Sequence, residues 1–260
     1  MKPRFWVIFV ICFAVGHALA ESPYEPISMK DWSLLGASAV IGAFSHYWGE
    51  QIQPLQPYEI ADLDHQEINR WDQPATHYYS QTAGELSDWG LKTCILLPSL
   101  FVVDSRMRQN GPKLAMMYLE TMAAVGVVTE IAKVGIQRIR PYAYNPAVPT
   151  TAKLAKDTKK SFFSGHTSAS FAGAVFFSKV FSDYYPESKW KSVVWAASLT
   201  VASSVGYNRI RAGKHYPSDV AVAAVVGSFL GYFIPQFHKN RKNVEPLTIS
   251  PCCISLSFAF

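Results

Sequence analysis

Six apolar stretches rich in Ala, Val, Leu and Phe, at 32–49, 88–103, 114–136, 166–181, 190–207 and 218–235, limit what this chain can fold into. Each is too long for a buried strand and is filled with good helix formers, so all six read as helices. The expected fold is all-α, a six-helix bundle core within one domain of ordinary size. Between the first two stretches runs a polar segment, Glu50 to Ser87, with short helical pieces of its own. It contains Asp62, Asp64, His65 and Glu67, a set that invites a metal reading. No ligand spacing repeats elsewhere, so the segment reads as a solvated loop and no metal is expected.

The residues that break the apolar pattern collect at the helix ends. Lys133 and Arg140 stand close to two helical turns apart, so one helix would carry both on a single face, about 10 Å apart along its axis. Pro141 would then end that helix. An arginine binds phosphate oxygens as a rigid fork and a lysine binds them as a point charge. Ser164-Gly165-His166 precedes a buried helix, whose first N–H groups can receive an anion. Gly165 allows close approach, Ser164 adds a donor, and His166 is placed to protonate a leaving oxygen. Farther on, Asp219 follows His215 by four residues and could hold its proton-bearing nitrogen, leaving the other nitrogen free to attack. Ser218 or Asp219 would cap the helix that follows. Arg209 adds a third cation for a transferring phosphoryl group.

Each of these groups has a blander reading alone: a solvated helix face, a helix start with a satisfied histidine, a local His–Asp hydrogen bond. Successive antiparallel helices would gather all of them at one end of the bundle, and their coincidence favours phosphate chemistry.

The pattern Lys-x6-Arg-Pro, then Ser-Gly-His, then Arg-x5-His-x3-Asp resembles the signature of the type 2 phosphatidic acid phosphatase and vanadium haloperoxidase superfamily. The resemblance covers roughly Lys133 to Asp219 and the flanking helices, and implies an all-helical core. It implies that Lys133, Arg140 and Arg209 bind phosphate, with hydrogen bonds from Ser164 and Gly165. It makes His166 the general acid, His215 the nucleophile that forms a phosphohistidine, and Asp219 its orienting partner. No metal or organic cofactor is implied. Phe163 stands where the family often has proline, and Asn208 where serine often precedes the arginine. Neither position carries the chemistry, so both bear on substrate class.

The chain opens on a basic start, Met1 to Arg4, an apolar run from Phe5 to Val15, and Ala18-Leu19-Ala20 before Glu21. That is the layout of an export signal cleaved after Ala20, with an uncleaved anchor as the alternative. The net charge of +5 falls to about +3 without Lys2 and Arg4, too mild for nucleic acid, and no basic stripe with interleaved aromatics appears. Loss of Cys12 leaves Cys94, Cys252 and Cys253, which do not describe a disulfide framework. The expected organisation is a signal peptide at 1–20, an N-terminal helix and polar periplasmic segment at 21–87, a catalytic helical core at 88–243 joined by helix 32–49, and a short extended, strand-like tail at 244–260.

A bilayer span needs about 20 apolar residues. Several segments fall near the lower limit, Glu120 interrupts one, and mean hydropathy is only +0.07. Against that, the loops opposite the motifs are basic: Arg106, Arg108 and Lys113, then Lys179, Lys189 and Lys191, then Lys239, Arg241 and Lys242. This positive-inside pattern suits inner-membrane association with the catalytic end facing the periplasm, provided 32–49 packs on the bundle rather than spanning. A soluble periplasmic bundle is the alternative. The functional expectation is a cell-envelope phosphatase acting on lipid or polyprenyl phosphate esters. The competing readings are a vanadate-dependent haloperoxidase, which the short apolar chain disfavours, and a noncatalytic envelope protein, which the complete set of motif groups disfavours.

Overall fold

The structure, a computed structural model, describes residues 22–240. The proposed signal segment and the tail at 244–260, with Cys252 and Cys253, lie outside the described residues. Among the described residues there is no strand, only one isolated antiparallel bridge between Tyr24 and Lys239. The elements in order are α1 (Met29–Glu50), α2 (Pro57–Ala61), α3 (Gln81–Leu96), α4 (Ser105–Gln109), α5 (Gly111–Ile136), α6 (Thr150–Lys153), α7 (Gly165–Tyr184), α8 (Lys191–Arg211) and α9 (Pro217–Phe237). The six longest match the six apolar stretches. The largest displacement is α3, which starts well before position 88 because the Ser80 hydroxyl accepts from the Ala83 N–H at 3.2 Å and caps it. Beyond Leu96, Pro98 falls in a 3-10 turn, Leu97–Val102.

The central element is α7, packed against α9, α8, α3 and α5. Its contact with α9 is backbone to backbone. A Cβ on Gly227 would lie 2.2 Å from the Ser168 carbonyl, so any larger residue there would force the two helices apart. At the end away from the motifs, Phe176 and Met117 are fully buried with Phe101, Leu114, Val180 and Phe181. Truncating a ring such as Phe176 in this cluster costs about 3–5 kcal/mol.

Two features tie the outer elements to this core. First, α1 runs alongside α5 in the same direction: Lys113, near the start of α5, meets Asp31 of α1 at 3.2 Å, while Gly49 near the end of α1 lies against Glu130 and Val134. Few residues of α1 are buried, and Trp32, Val40, Phe44 and Trp48 are exposed. Second, the polar segment is more than a solvated loop. Asp72 is fully buried. Its carboxylate accepts from the Ser218 N–H at 2.9 Å, from the Ser218 hydroxyl at 2.5 Å and from Arg138 Nη2 at 2.7 Å. Burial alone would raise the pKa of Asp72, but these donors hold it below the ordinary range. The segment is thus pinned against the start of α9.

Candidate active site

All three motif stretches arrive at one end of the bundle: the end of α5, the start of α7, the end of α8 and the start of α9. There a cavity of about 480 Å³ is lined by Lys133, Arg140, Gly165, His166, Arg209 and His215, six of the eight residues expected from sequence. Its remaining wall is Asp88, Leu91 and Lys92 from α3, Asp157, and Lys214.

The route by which Arg140 arrives differs from expectation. Rather than running to Pro141, α5 stops at Ile136, and Gln137 takes a left-handed conformation with φ of 49°. Its N–H bonds to the Lys133 carbonyl at 3.1 Å, an αL end. The chain then runs extended, because its backbone finds partners across a second segment: Ser161 N–H to the Arg138 carbonyl at 2.9 Å and Arg140 N–H to the Thr158 carbonyl at 2.8 Å. Lys133 and Arg140 therefore meet across the pocket from different elements, not along one helix face. Asp157 accepts from Arg140 Nη2 at 2.6 Å.

His215 is almost fully buried and sits just after the tight turn at Gly213. That residue has φ of 69°, and a Cβ on it would lie 2.1 Å from the Tyr78 carbonyl. The Nδ1 of His215 is 2.7 Å from the Ser161 carbonyl oxygen. A carbonyl only accepts, so Nδ1 carries the proton and Nε2 keeps its lone pair. Burial first, then Arg140 and Arg209, push the His215 pKa well below its ordinary value, so the ring is neutral.

The expected direct bond from Asp219 is replaced. Its Oδ2 lies 3.8 Å from Nδ1, beyond hydrogen-bond range. Fully buried, Asp219 instead accepts from the Ser161 hydroxyl at 2.6 Å, from the Tyr216 N–H at 3.0 Å and from Arg138 Nη1 at 2.5 Å. Asp219 thus holds the residue that holds His215. Ser164 departs too. Its buried hydroxyl accepts from the Thr167 N–H at 3.3 Å and the Thr167 hydroxyl at 2.8 Å, capping α7 from outside the cavity lining.

His166 Nε2 is 2.9 Å from Asp88 Oδ1, and Arg209 Nη1 is 3.6 Å from the same oxygen. Burial, reinforced by Arg209, pushes the His166 pKa down to about 4, against the upward pull of Asp88. Burial and then Arg140 bring Arg209 down to about 10, still charged at neutral pH. Arg209 Nε is buried without a partner among the described residues. Among those residues no carboxylate lies within salt-bridge distance of Lys92, Lys133 or Lys214. The sequence reading missed Asp88, Asp157, Arg138, Asp72 and Ser161. Of these only Arg138 carried a signal, as a third cation within the first motif.

Asp62, Asp64, His65 and Glu67 form no metal-sized group. Among the described residues the one such group is Asp31, Glu120 and His238. It lies about 20–30 Å from the pocket along α5. Lys113 already contributes a positive charge there, 3.1 Å from His238 Nδ1.

Residues 114–243 match the family model of the PAP2 superfamily, and the chain belongs to that superfamily. Among curated relatives, it is 38% identical over 95 residues to a probable diacylglycerol pyrophosphate phosphatase 1 of Schizosaccharomyces pombe, covering 34% of this chain and 33% of that protein. It is 27% identical over 155 residues to an undecaprenyl-diphosphatase of Sulfolobus acidocaldarius, covering 59% of this chain and 68% of that one. A match to a lipid A 1-phosphatase of Porphyromonas gingivalis is 36% identical over 116 residues and spans 44% of this chain and 22% of the relative. The chain thus spans about a third of the first of these relatives. A solved transmembrane PAP2-type phosphatidylglycerolphosphate phosphatase from Bacillus subtilis aligns over 80% of this chain and 92% of that one, with a TM-score of 0.47 and 17% identity.

Proposed function

We propose that this chain is a membrane-associated phosphatase that hydrolyses lipid-linked phosphate esters through a phosphohistidine on His215. The observation that carries the reading is the His215 ring. Its Nδ1 is committed to the Ser161 carbonyl, so its nucleophilic nitrogen serves a cavity whose cations include Lys133, Arg140 and Arg209. In the first step Nε2 attacks phosphorus, the bond to the ester oxygen breaks, and His166 protonates the departing alcohol. Water, giving up its proton to His166, then cleaves the P–N bond and releases inorganic phosphate. The cations stabilise charge that develops on the transferring group. Among the described residues Arg209 Nε has no hydrogen-bond partner and Lys133 no salt-bridge partner, so both are donors suited to an anion. Relatives named for lipid phosphate and polyprenyl diphosphate hydrolysis support a lipid-linked ester as substrate.

Two stretches, Gly111–Tyr144 and Pro217–Phe237, are long and apolar enough to cross a bilayer. Together with the exposed apolar side chains of α1 and with Phe229, Phe233 and Phe237 of α9, they support membrane association. The Tyr24 hydroxyl bonds to Asp183 at the far end of α7, at 2.9 Å, so residue 22 belongs to the basic end of the bundle. With basic loops inside and the pocket outside, residues 22–28 lie inside, which fits the uncleaved anchor better than cleavage after Ala20. Cleavage there fits the alternative, a soluble periplasmic bundle.

The test is a phosphate-release screen of lipid and soluble esters with wild type and His215→Ala. Release that is abolished by the substitution supports the assignment. Release that survives His215→Ala overturns it.

A further inference from the structure

On the Nδ1 side of His215, away from the cradle, two carboxylates share one guanidinium. Arg138 Nη2 meets Asp72 Oδ2 at 2.7 Å, and Arg138 Nη1 meets Asp219 Oδ1 at 2.5 Å. Among the described residues Arg138 is the one cation within salt-bridge range of either carboxylate, because His215 is neutral. The Tyr216 ring, 3.9 Å from the guanidinium carbon, holds Arg138 in place. Two negative charges against one positive leave one in excess, and both carboxylates are fully buried. Such a charge is costly to keep out of water, and the fold meets it with neutral donors. Asp72 accepts from Asn69 Nδ2 at 2.7 Å, from the Ser218 N–H at 2.9 Å and from the Ser218 hydroxyl at 2.5 Å. Asp219 accepts from the Ser161 hydroxyl and the Tyr216 N–H. Against burial, which would raise it, those donors and Arg138 keep the Asp72 pKa below the ordinary range, so Asp72 is charged at neutral pH.

The histidine step creates a charge that this cluster can answer. As the Nε2–P bond forms and the P–O ester bond breaks, the electron pair leaves with the oxygen, which takes its proton from His166. The imidazole, neutral beforehand with its proton on Nδ1, is then positive. Arg140 and Arg209 on the cradle side oppose that charge, as their downward pull on the buried His215 shows. On the other side stands Asp219, whose Oδ2 is 3.8 Å from Nδ1. Alone with Arg138 it would form a neutral pair and offer the ring little. Asp72 takes the second arm of that guanidinium and so returns a net negative charge to the cluster. We propose that Asp72, supplied by the polar segment outside all three motif stretches, is a positioning residue for the nucleophile: it fixes Arg138 and leaves Asp219 able to stabilise the imidazolium of the phosphohistidine. This rests on the phosphatase reading and deepens it, assigning a residue to the His215 step that the motifs do not contain.

The test follows phosphohistidine formation by rapid acid quench, with the purified full chain in neutral detergent and radiolabelled dioctanoyl phosphatidic acid as probe. Asp72→Asn keeps an oxygen for the Ser218 N–H and removes the charge. It should slow formation by about 10- to 100-fold, the range seen when a partner one step behind a reacting group is lost. Substrate affinity should change little, because Asp72 touches none of the cradle. Asp72→Ser, smaller and also neutral, carries the same test should the asparagine variant fail to fold. Ser218→Ala is the control for structure alone. It removes one contact that pins the polar segment and keeps the charge, so it should lower the melting temperature while formation stays within a few-fold of wild type. Formation at the wild-type rate in the neutral Asp72 variants, or equal slowing in Ser218→Ala, overturns the role of the Asp72 charge and leaves the phosphatase assignment intact. Wild type that neither turns over the ester nor takes up label on His215 overturns both.

Discussion

His215 donates from Nδ1 to the backbone carbonyl of Ser161 at 2.7 Å, not to the carboxylate of Asp219, which stands 3.8 Å away. The tautomer that frees Nε2 is therefore set by main chain. Asp219 acts one step back, as a positioning residue that grips the Ser161 side chain and Arg138. Replacing it removes one of the two carboxylate partners of the half-buried Arg138 guanidinium, leaving Asp72, and an anchor of the α9 start. Asp219→Ala should lower stability by about 3–5 kcal/mol, seen as a lower melting temperature in detergent. Phosphate should still be trapped on His215 by acid quench, in reduced amount. Complete loss of the trapped species with unchanged melting would contradict this division of labour.

Asp88 pulls the His166 pKa upward against burial and Arg209. Removing its charge lowers that pKa further. The limb of kcat/KM that falls as pH rises through the acid's pKa should therefore move to lower pH in Asp88→Asn, and KM should fall because a carboxylate no longer faces the substrate. A limb moving to higher pH would exclude Asp88 as the partner of His166.

As the proposed general acid, His166 should matter in proportion to how badly the leaving group needs a proton. His166→Ala should cost about 10²- to 10⁴-fold on an alkyl phosphate and far less on an aryl phosphate such as p-nitrophenyl phosphate. Equal losses on both esters would assign His166 to binding rather than proton transfer.

Vanadate, which copies the five-coordinate phosphorus, should inhibit by occupying the cationic cradle. EDTA should leave turnover unchanged, because the residues placed for the chemistry use nitrogen and guanidinium groups throughout. Strong inhibition by the chelator would refute the metal-free mechanism.

The position of residue 22 at the basic end makes a statement about processing. Membrane-embedded protein should carry Met1 to Ala20 in an intact mass measurement. A mature form beginning at Glu21 would instead favour the soluble periplasmic bundle.

The bundle was legible because six long apolar runs admit no other regular structure, and the pocket because six of its lining groups lie at fixed spacings around Gly, Pro and helix caps. What escaped was the support. Asp72 and Asp88 sit in or beside a polar stretch whose local pattern is that of solvated chain, and only tertiary contact with Arg138 or His166 gives them work. Arg140 lines the pocket by another path than expected: seven-residue spacing is helical on paper, yet the backbone from 138 to 140 found carbonyl and N–H partners near Thr158 and Ser161 and left the helix. Ser161 was invisible for a related reason, since its main-chain oxygen holds the histidine and a backbone atom leaves no mark in a sequence.

The carboxylates of Asp88 and Asp157 lean on the guanidinium and imidazole groups that an ester must claim. In the proposed mechanism an arriving ester would have to dislodge them, and after cleavage of the P–N bond they would return to the same partners in competition with the freed phosphate. Built-in carboxylates of this kind would compete with the product for the cradle and so favour its release over tight grip.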